Sequence, residues 1–353
     1  MQVNYGCLHK IGSYGIMGGI QRTMNRSGRL LKSRFLHGIA LFALILAVGL
    51  FSRSRIASES AALSPVSQKT SIVFVSDTQA LLFLETLRLK RTHNEEATKK
   101  IMERISQEST AAAVFHLGDV TAVGSSDRKW ARWDDAHAKL KKLGIAVYAV
   151  MGNHDYMWSP EKGRANFAAR FPESNPSWYA VRIPPLAVIG LNSNFHQLSP
   201  AERAEQKRFY EAEMKALETD PAVRNVIVCC HHAPYTNSRI VSPSEDVVKE
   251  FVPLFMESGK SRLFLSGHAH AAEHFMKGGK HFLVLGGGGG LLHPLLTGRK
   301  QKYEDLFPLK TKIRFFHYVE LQFDEGQMTI VYRMLARDLA DFTDVLQFSI
   351  PFD

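Results

Sequence analysis

The sequence predicts an α/β fold of four layers, with two mixed β-sheets packed on each other and helices on both outer sides. Three observations carry this expectation. From Ser71 onward, apolar runs of strand length alternate with helix-like stretches. Near the C-terminus the alternation gives way to two β-rich runs around Asp324-Glu325-Gly326, a hairpin signal. With 45% apolar and 22% charged residues among 353, the chain can bury a large core and shows no sign of global disorder.

The first seventy residues stand apart from that body. Residues 1–34 form a basic segment, 35–51 an almost unbroken apolar run from Phe35 to Phe51, and 52–70 a small, polar linker. At about 1.5 Å per residue the run reaches roughly 25 Å, close to the hydrocarbon thickness of a bilayer. It lacks the polar stripe of a core helix. Its basic flank matches a secretory signal, with Met24 opening a more ordinary one than Met1. Arg53 and Arg55 directly behind the run, and only a weak small-residue site around Ala57–Ala62, favour an uncleaved transmembrane anchor; secretion after cleavage is the alternative. Either way, the excess of Lys and Arg on the N-terminal side places the body outside the cytoplasm. This segment also holds most of the formal charge of +10, since residues 1–65 carry eight basic residues against Glu59 alone. The body is therefore near neutral, and no nucleic-acid partner is expected.

The body, 71–353, reads as one domain. "SIVFV" (Ser71–Val75) is the first strand. Helices are expected over 92–107, 127–144 and 199–218. The second ends in Lys141-Lys142-Leu143-Gly144, basic residues against the dipole with glycine just past the end. The third opens on Ser199, Pro200 and Glu202, a serine cap, a proline in the first turn and a capping glutamate. Trp130, Trp133, Phe167 and Phe171 fall at helical spacings and read as core. The three cysteines form no disulfide framework, and Cys229 and Cys230 read as small buried hydrophobes.

The ends of the strands carry the chemistry. One run finishes on Asp77 with Gln79 following, a second on Gly118-Asp119, and a third on Gly152-Asn153-His154-Asp155. A fourth finishes on His231-His232 and a fifth on Gly267-His268-Ala269-His270. In open α/β sheets this edge is where ligands bind. Any one of these endings reads as a turn; five together read as a site. Oxygen and imidazole donors without a thiolate suit divalent Mn, Fe or Zn. They are too many for one four-ligand ion and the right number for two ions sharing a carboxylate, a pair that can clamp an in-line displacement at phosphorus. His268 and His270, two apart on extended chain, project to one side. A glycine before three of the endings lets the backbone turn sharply beside the ligands.

The series Asp-x-Gln, Gly-Asp, Gly-Asn-His-Asp, His-x-Pro and Gly-His-x-His resembles, in order and spacing, the calcineurin-like metallophosphoesterases over roughly residues 71–335. The resemblance implies that Asp77, Gln79, Asp119 and His270 hold one ion and that Asp119, Asn153, His232 and His268 hold the other, with Asp119 bridging. It implies that His154 contacts the phosphate with Asn153 and protonates the leaving oxygen, oriented by Asp155, while a metal-activated hydroxide attacks. His232 is preferred to His231 because "HAPYTNS" (His232–Ser238) resembles the His-x-Pro segment of purple acid phosphatases; His231 is the alternative. Gln79 stands where the family's usual motif has histidine. A carbonyl oxygen is a harder donor than imidazole, so manganese is favoured. No tyrosine follows Asp119 in the place where purple acid phosphatases use one, which argues against a purple iron centre.

Gly286–Gly290 is not a P-loop, since no Gly-Lys-Ser/Thr follows, and reads as a flexible loop near the metal edge. His293 just beyond it is a weak candidate for substrate contact, as is His231. His116, inside an apolar run, reads as a core histidine. The expected function is metal-dependent hydrolysis of a phosphomonoester or phosphodiester. Hydrolysis of a nucleotide or lipid-headgroup pyrophosphate is the alternative, and a catalytically silent, membrane-tethered binding module is the alternative of another class.

Overall fold

Strand β1 (Ser71–Val75) is buried along its whole length, which explains why its sequence is continuously apolar and does not alternate. In the computed structural model, which describes residues 71–82, 93–108 and 110–352, β1 pairs in parallel with β2 (Ala111–His116), and β2 with β3 (Ala146–Ala149). The other edge of β1 pairs antiparallel with β10 (His317–Phe323), which continues through β11 (Gln327–Leu335) to β12 (Phe342–Pro351). The first sheet thus has the order β12-β11-β10-β1-β2-β3. The hairpin expected around Asp324-Glu325-Gly326 is the β10–β11 pair.

The second sheet has the order β4-β5-β6-β7-β9-β8. Its strands are β4 (Tyr179–Ile183), β5 (Leu186–Leu191), β6 (Asn225–Cys230), β7 (Ser261–Ser266), β8 (Ala272–Lys277) and β9 (Lys280–Leu285). Strands β5, β6, β7 and β9 are mutually parallel. Both sheets are mixed, as expected from the sequence, and each has six strands.

Three apolar clusters define the layers. One lies between the sheets and joins Ile72, Phe74 and Phe115 of the first to Val188, Ile227 and Leu265 of the second. A row of rings crosses it, Phe74–Phe115–Tyr148–Tyr179, with centroids 5.2, 5.3 and 5.7 Å apart; such offset pairs add to the area they bury. The second cluster packs α1 (Asn94–Ile105), α2 (Asp127–Lys142) and α3 (Pro160–Arg170) on the outer face of the first sheet. Trp130, Trp133, Phe167 and Phe171 meet there as core, as their spacing predicts. The third packs α4 (Pro200–Thr219), α5 (Glu245–Glu250) and α6 (Val252–Glu257) on the outer face of the second sheet. Helix α4 begins with the expected capping box between Ser199 and Glu202.

Cys229 and Cys230 are buried and unpaired. Among the described residues no helix is long and apolar enough to cross a membrane. The basic segment 1–34, the apolar run 35–51 and the linker 52–70 lie outside the described residues.

Candidate metal centre

The C-terminal ends of the parallel strands of both sheets meet at one edge. Asp77 follows β1, Asp119 follows β2, Asn153 and His154 follow β3, His231 and His232 follow β6, and His268 and His270 follow β7. Ligand atoms of Asp77, Asp119 and His231 lie within 4.8 Å of one another, as do those of His231, His232 and His268. His231 belongs to both groups and joins them.

The backbone pays a conformational cost here. Asp77, Asp119 and His268 have φ of +59°, +53° and +64°, a left-handed conformation that costs an L-residue roughly 1–2 kcal/mol. The expected role of the preceding glycines is only partly found. Gly118 does turn, with φ +93°. Gly152 and Gly267 are instead places of close approach, where a Cβ would strike the Asp119 carboxylate and Ser76 Oγ.

Asp77 is completely buried. Its carboxylate accepts the main-chain N–H of His268 at 3.0 Å and lies 3.2 Å from His270 Nε2. Burial by itself would raise its carboxyl; the His270 ring, bonded to it, and His231 outweigh that and hold it at about 2. Asp119 Oδ1 accepts the N–H of His154 at 2.7 Å, and Oδ2 lies 3.4 Å from His231 Nε2. Burial again opposes its charge, and His231 with the neighbouring His154 and His268 pulls it far below the usual carboxylate range. His231 responds in the opposite sense: burial disfavours its charge, but Asp119 raises it to about 9.

Gln79 has one amide orientation that satisfies its neighbours. Its nitrogen then donates to the main-chain oxygens of Asp77 and Asp119, 3.1 Å each, and its oxygen faces His270 Nε2 at 3.1 Å. That orientation turns the carbonyl oxygen towards the cluster, where a ligand atom is needed.

The two adjacent histidines are held differently. His231 donates from Nδ1 to Leu117 O at 2.8 Å and points Nε2 at Asp119 and at Asn153 Oδ1, 3.2 Å away. A carbonyl fixing the tautomer while the other nitrogen faces the donors is how ligating histidines are oriented. His232 is bonded through Nδ1 to Ser193 Oγ at 2.9 Å, and its ring lies 4.5 Å from that of His268. His231, the alternative in the sequence, is the one of the pair set against Asp119 and Asn153, while the ligand atom of His232 lies within 4.8 Å of those of His231 and His268. His270 is fixed in the same manner, donating from Nδ1 to Leu291 O at 2.8 Å.

Asp155 is expected to orient His154; among the described residues it makes no hydrogen bond to the His154 ring, whose Nδ1 bonds Ala122 O at 3.0 Å. The Asp155 carboxylate is wholly buried and accepts four main-chain N–H groups, from Gly152 (2.8 Å), Asp119 (3.0 Å), Val120 (3.1 Å) and Thr121 (3.3 Å). It pins the loop after β2 to the loop after β3. His154 Nε2 has no protein partner among the described residues.

The glycine run is at the metal edge, as expected, but it is not a loose loop. Gly288 N donates to Ser76 O and Gly290 N to Asp77 O, at 2.9 and 2.8 Å, and Asn94 bonds the carbonyls of Gly289 and Gly290. A Cβ at Gly290 would press into the His270 ring at 2.5 Å. His293 is buried, stacks on His270 with centroids 4.3 Å apart and accepts the His270 N–H; it supports a candidate ligand and does not face an open site. His116 is a satisfied core histidine, between Thr78 Oγ1 and the N–H of Gly118, and burial lowers it to about 3. Sequence reading passed over Asn192, Ser193 and Asn194 at the end of β5, which bond Tyr156, His232 and Met151 O. "LAVIGLNSN" carries the same signal as the other endings, an apolar run closing on short polar residues. A cavity of about 780 Å³ lies between α1 and α2, and none of the donors lines it.

The sequence matches the calcineurin-like phosphoesterase family over residues 70–272. Among solved structures, a dimetal phosphatase from Danio rerio is similar at 14% identity and a TM-score of 0.55, covering 81% of this chain and 100% of that one. GAP50, the anchor in the inner membrane complex of Plasmodium, is similar at 14% identity and a TM-score of 0.58, covering 81% and 90%. At such identities the likeness is one of fold. No curated protein matches by sequence.

Proposed function

This chain belongs to the calcineurin-like phosphoesterase family, and from that premise we propose that it hydrolyses a phosphate ester with two divalent cations at the shared sheet edge. The observation that carries the reading is the buried pair Asp77 and Asp119. Their ligand atoms lie within 4.8 Å of each other and of His231, and no lysine or arginine contacts either among the described residues. The positive charge beside these two withdrawn carboxylates comes from neighbouring histidines; a cation such as Mn, Fe or Zn would supply it instead, with those rings and the surrounding oxygens as ligands.

Asp77, Gln79, Asp119 and His270 would hold one ion, and Asp119, Asn153, His231 and His268 the other, with manganese favoured by the Gln79 carbonyl. When bound, the ions supply Lewis-acid polarisation of the phosphoryl group and lower the pKa of water. The chain does the rest. The Asn153 amide would orient a phosphate oxygen. His154, anchored through Nδ1 on Ala122 O, would pass a proton from Nε2 to the leaving oxygen. Asp155 would act through the backbone, by keeping Asp119 and Gly152 in register. For the chain as a whole, the apolar run 35–51 would serve as the anchor, with the catalytic domain outside the cytoplasm.

The test uses chain stripped of metal and reloaded separately with Mn, Zn, Fe or Mg, assayed on p-nitrophenyl phosphate beside bis-p-nitrophenyl phosphate. Metal-dependent turnover is expected, with the preferred ester separating monoesterase from diesterase. His154→Ala should lower kcat by about 10²–10⁴ with metal content unchanged. Failure to bind any of these ions would end the proposal. A second reading, a non-catalytic binding module, draws on the fold likeness to an anchor protein; two bound ions without turnover of any ester would favour it.

The exchange of roles between the adjacent histidines has its own check. His231→Ala is expected to lose metal measured by elemental analysis, and His232→Ala to keep most of it. The reverse pattern would restore His232 as the ligand.

A further inference from the structure

Two stretches of chain meet at one buried side chain, and the only charges they carry are positive. Asn237, wholly buried, accepts the N–H groups of Lys302 and Tyr303 on Oδ1 at 2.7 and 3.1 Å. Its main-chain oxygen accepts the N–H of Leu296 at 2.8 Å. Residues 296–303 therefore form a loop closed at both ends on Asn237, with a short 3₁₀ turn, Gly298–Lys300, between them. The second stretch is the chain just past Asn237. There Ser238 Oγ bonds His293 Nδ1 at 3.3 Å and accepts the N–H groups of Ile240 and Val241 at 3.1 and 3.3 Å. Arg239 N donates to Pro294 O at 2.9 Å.

Arg239, Arg299, Lys300 and Lys302 are exposed, and their side chains have no hydrogen bond or ion pair among the described residues. Each lies within three residues of Asn237 or of a residue bonded to it, at most roughly 10 Å of extended chain. Neither 237–242 nor 296–303 contains an acid. Glu304 follows directly; Glu245 shares a cavity wall with Lys302, and Lys249 on the same wall offsets it. In a body that is near neutral as a whole, this is a local concentration of charge. Beside Arg239 stands Ile240, 62% exposed on a turn that Ser238 holds. Cations around an exposed aliphatic side chain suit an anionic bilayer, where the cations meet headgroup phosphates and the apolar group enters between them. A nucleic acid would use the charge alone.

We propose that this basic face, with Ile240 as its apolar contact, docks on an anionic lipid surface. The inference goes beyond the phosphoesterase reading and does not depend on it. The apolar run 35–51 bears on it only through proximity. Residues 52–70 reach at most roughly 65 Å when extended, which keeps the domain at high effective concentration near any bilayer that holds the run. Which face then meets the lipid is decided by the surface charge.

The test uses full-length chain reconstituted into phosphatidylcholine vesicles with and without phosphatidylglycerol. A nitroxide is attached through Ile240→Cys in a Cys7→Ser background, the other two cysteines being buried. Its collisions with a water-soluble relaxant and with oxygen report on this loop and not on the N-terminal segment. With phosphatidylglycerol the label is expected to be shielded from the water-soluble relaxant; without it, the label should stay in water. Lys302→Ala should lower the ratio of docked to free domain about fivefold. Arg299→Glu with Lys300→Glu, or about 1 M salt, where the Debye length is about 3 Å, should return the label to water. A label exposed in both vesicles, or shielded in both, would overturn the docking surface, as would shielding that survives the double reversal. Shielding by heparin in solution but not by anionic vesicles would assign the face to a polyanionic macromolecule and overturn the lipid reading.

Discussion

Asp119→Asn is expected to empty the metal centre and reduce hydrolysis to the uncatalysed background while leaving the fold intact. The amide matches the carboxylate in shape, so an oxygen can still accept the His154 N–H now bound at 2.7 Å. What is lost is the charge and the second equivalent oxygen, the two properties that let one side chain serve two cations. His231, now raised by Asp119 to about 9, would lose its main anionic partner. Elemental analysis should find fewer than one ion per chain, against two in the parent, and the metal-free melting temperature should move by no more than about 3 °C, as for a shape-conserving change with most bonds retained. A variant that kept two ions and full turnover would remove Asp119 from the centre.

The second large effect is expected at Asp155, where the damage should fall on the fold first. Asp155→Ala leaves the N–H groups of Asp119, Val120, Thr121 and Gly152 without their acceptor in a fully buried place. An unsatisfied buried donor costs about 1–3 kcal/mol. Allowing for water entering the vacated space, a loss on the order of 4 kcal/mol is expected, or a fall of roughly 8–16 °C in melting temperature for a domain of this size. Activity should fall with it, because Asp119 and Gly152 are two of the four groups released. Asp155→Asn keeps one acceptor oxygen and should lie between. If Asp155→Ala melted like the parent but lost only turnover with a changed pH profile, Asp155 would act on His154 directly and the scaffold role would be wrong.

Much of the architecture was legible from local pattern. Continuous apolar runs such as Ile72–Val75 and Val226–Cys230 read as strands buried on both faces, and both are. The Ser199–Glu202 capping box and the Asp324–Gly326 turn are short-range signals, and both formed where expected. Strands β4 and β12 were passed over. The first carries no polar ending to draw the eye, and the second, "FTDVLQFSIP", is largely exposed at the edge of its sheet, where burial does not impose an apolar pattern.

The sequence by itself determined the layered α/β fold and the set of polar residues that close the strands, because both follow from contacts within a few residues: strand period, caps, turns, and which residue types close a buried run. Tertiary structure alone decided how these residues face one another. His231 and His232 are neighbours at a bend after β6, with ligand atoms within 4.8 Å of each other; which of them faces Asp119 depends on Leu117 O and Ser193 Oγ, brought in from other strands. Asp155 sits beside His154 in sequence, yet its partners come from residues 119–121 and Gly152. Gln79 is turned by main-chain oxygens on two different strand ends. Each of these choices is a hydrogen bond across the sheet edge, and a bond between distant segments leaves no periodicity in the chain that makes it.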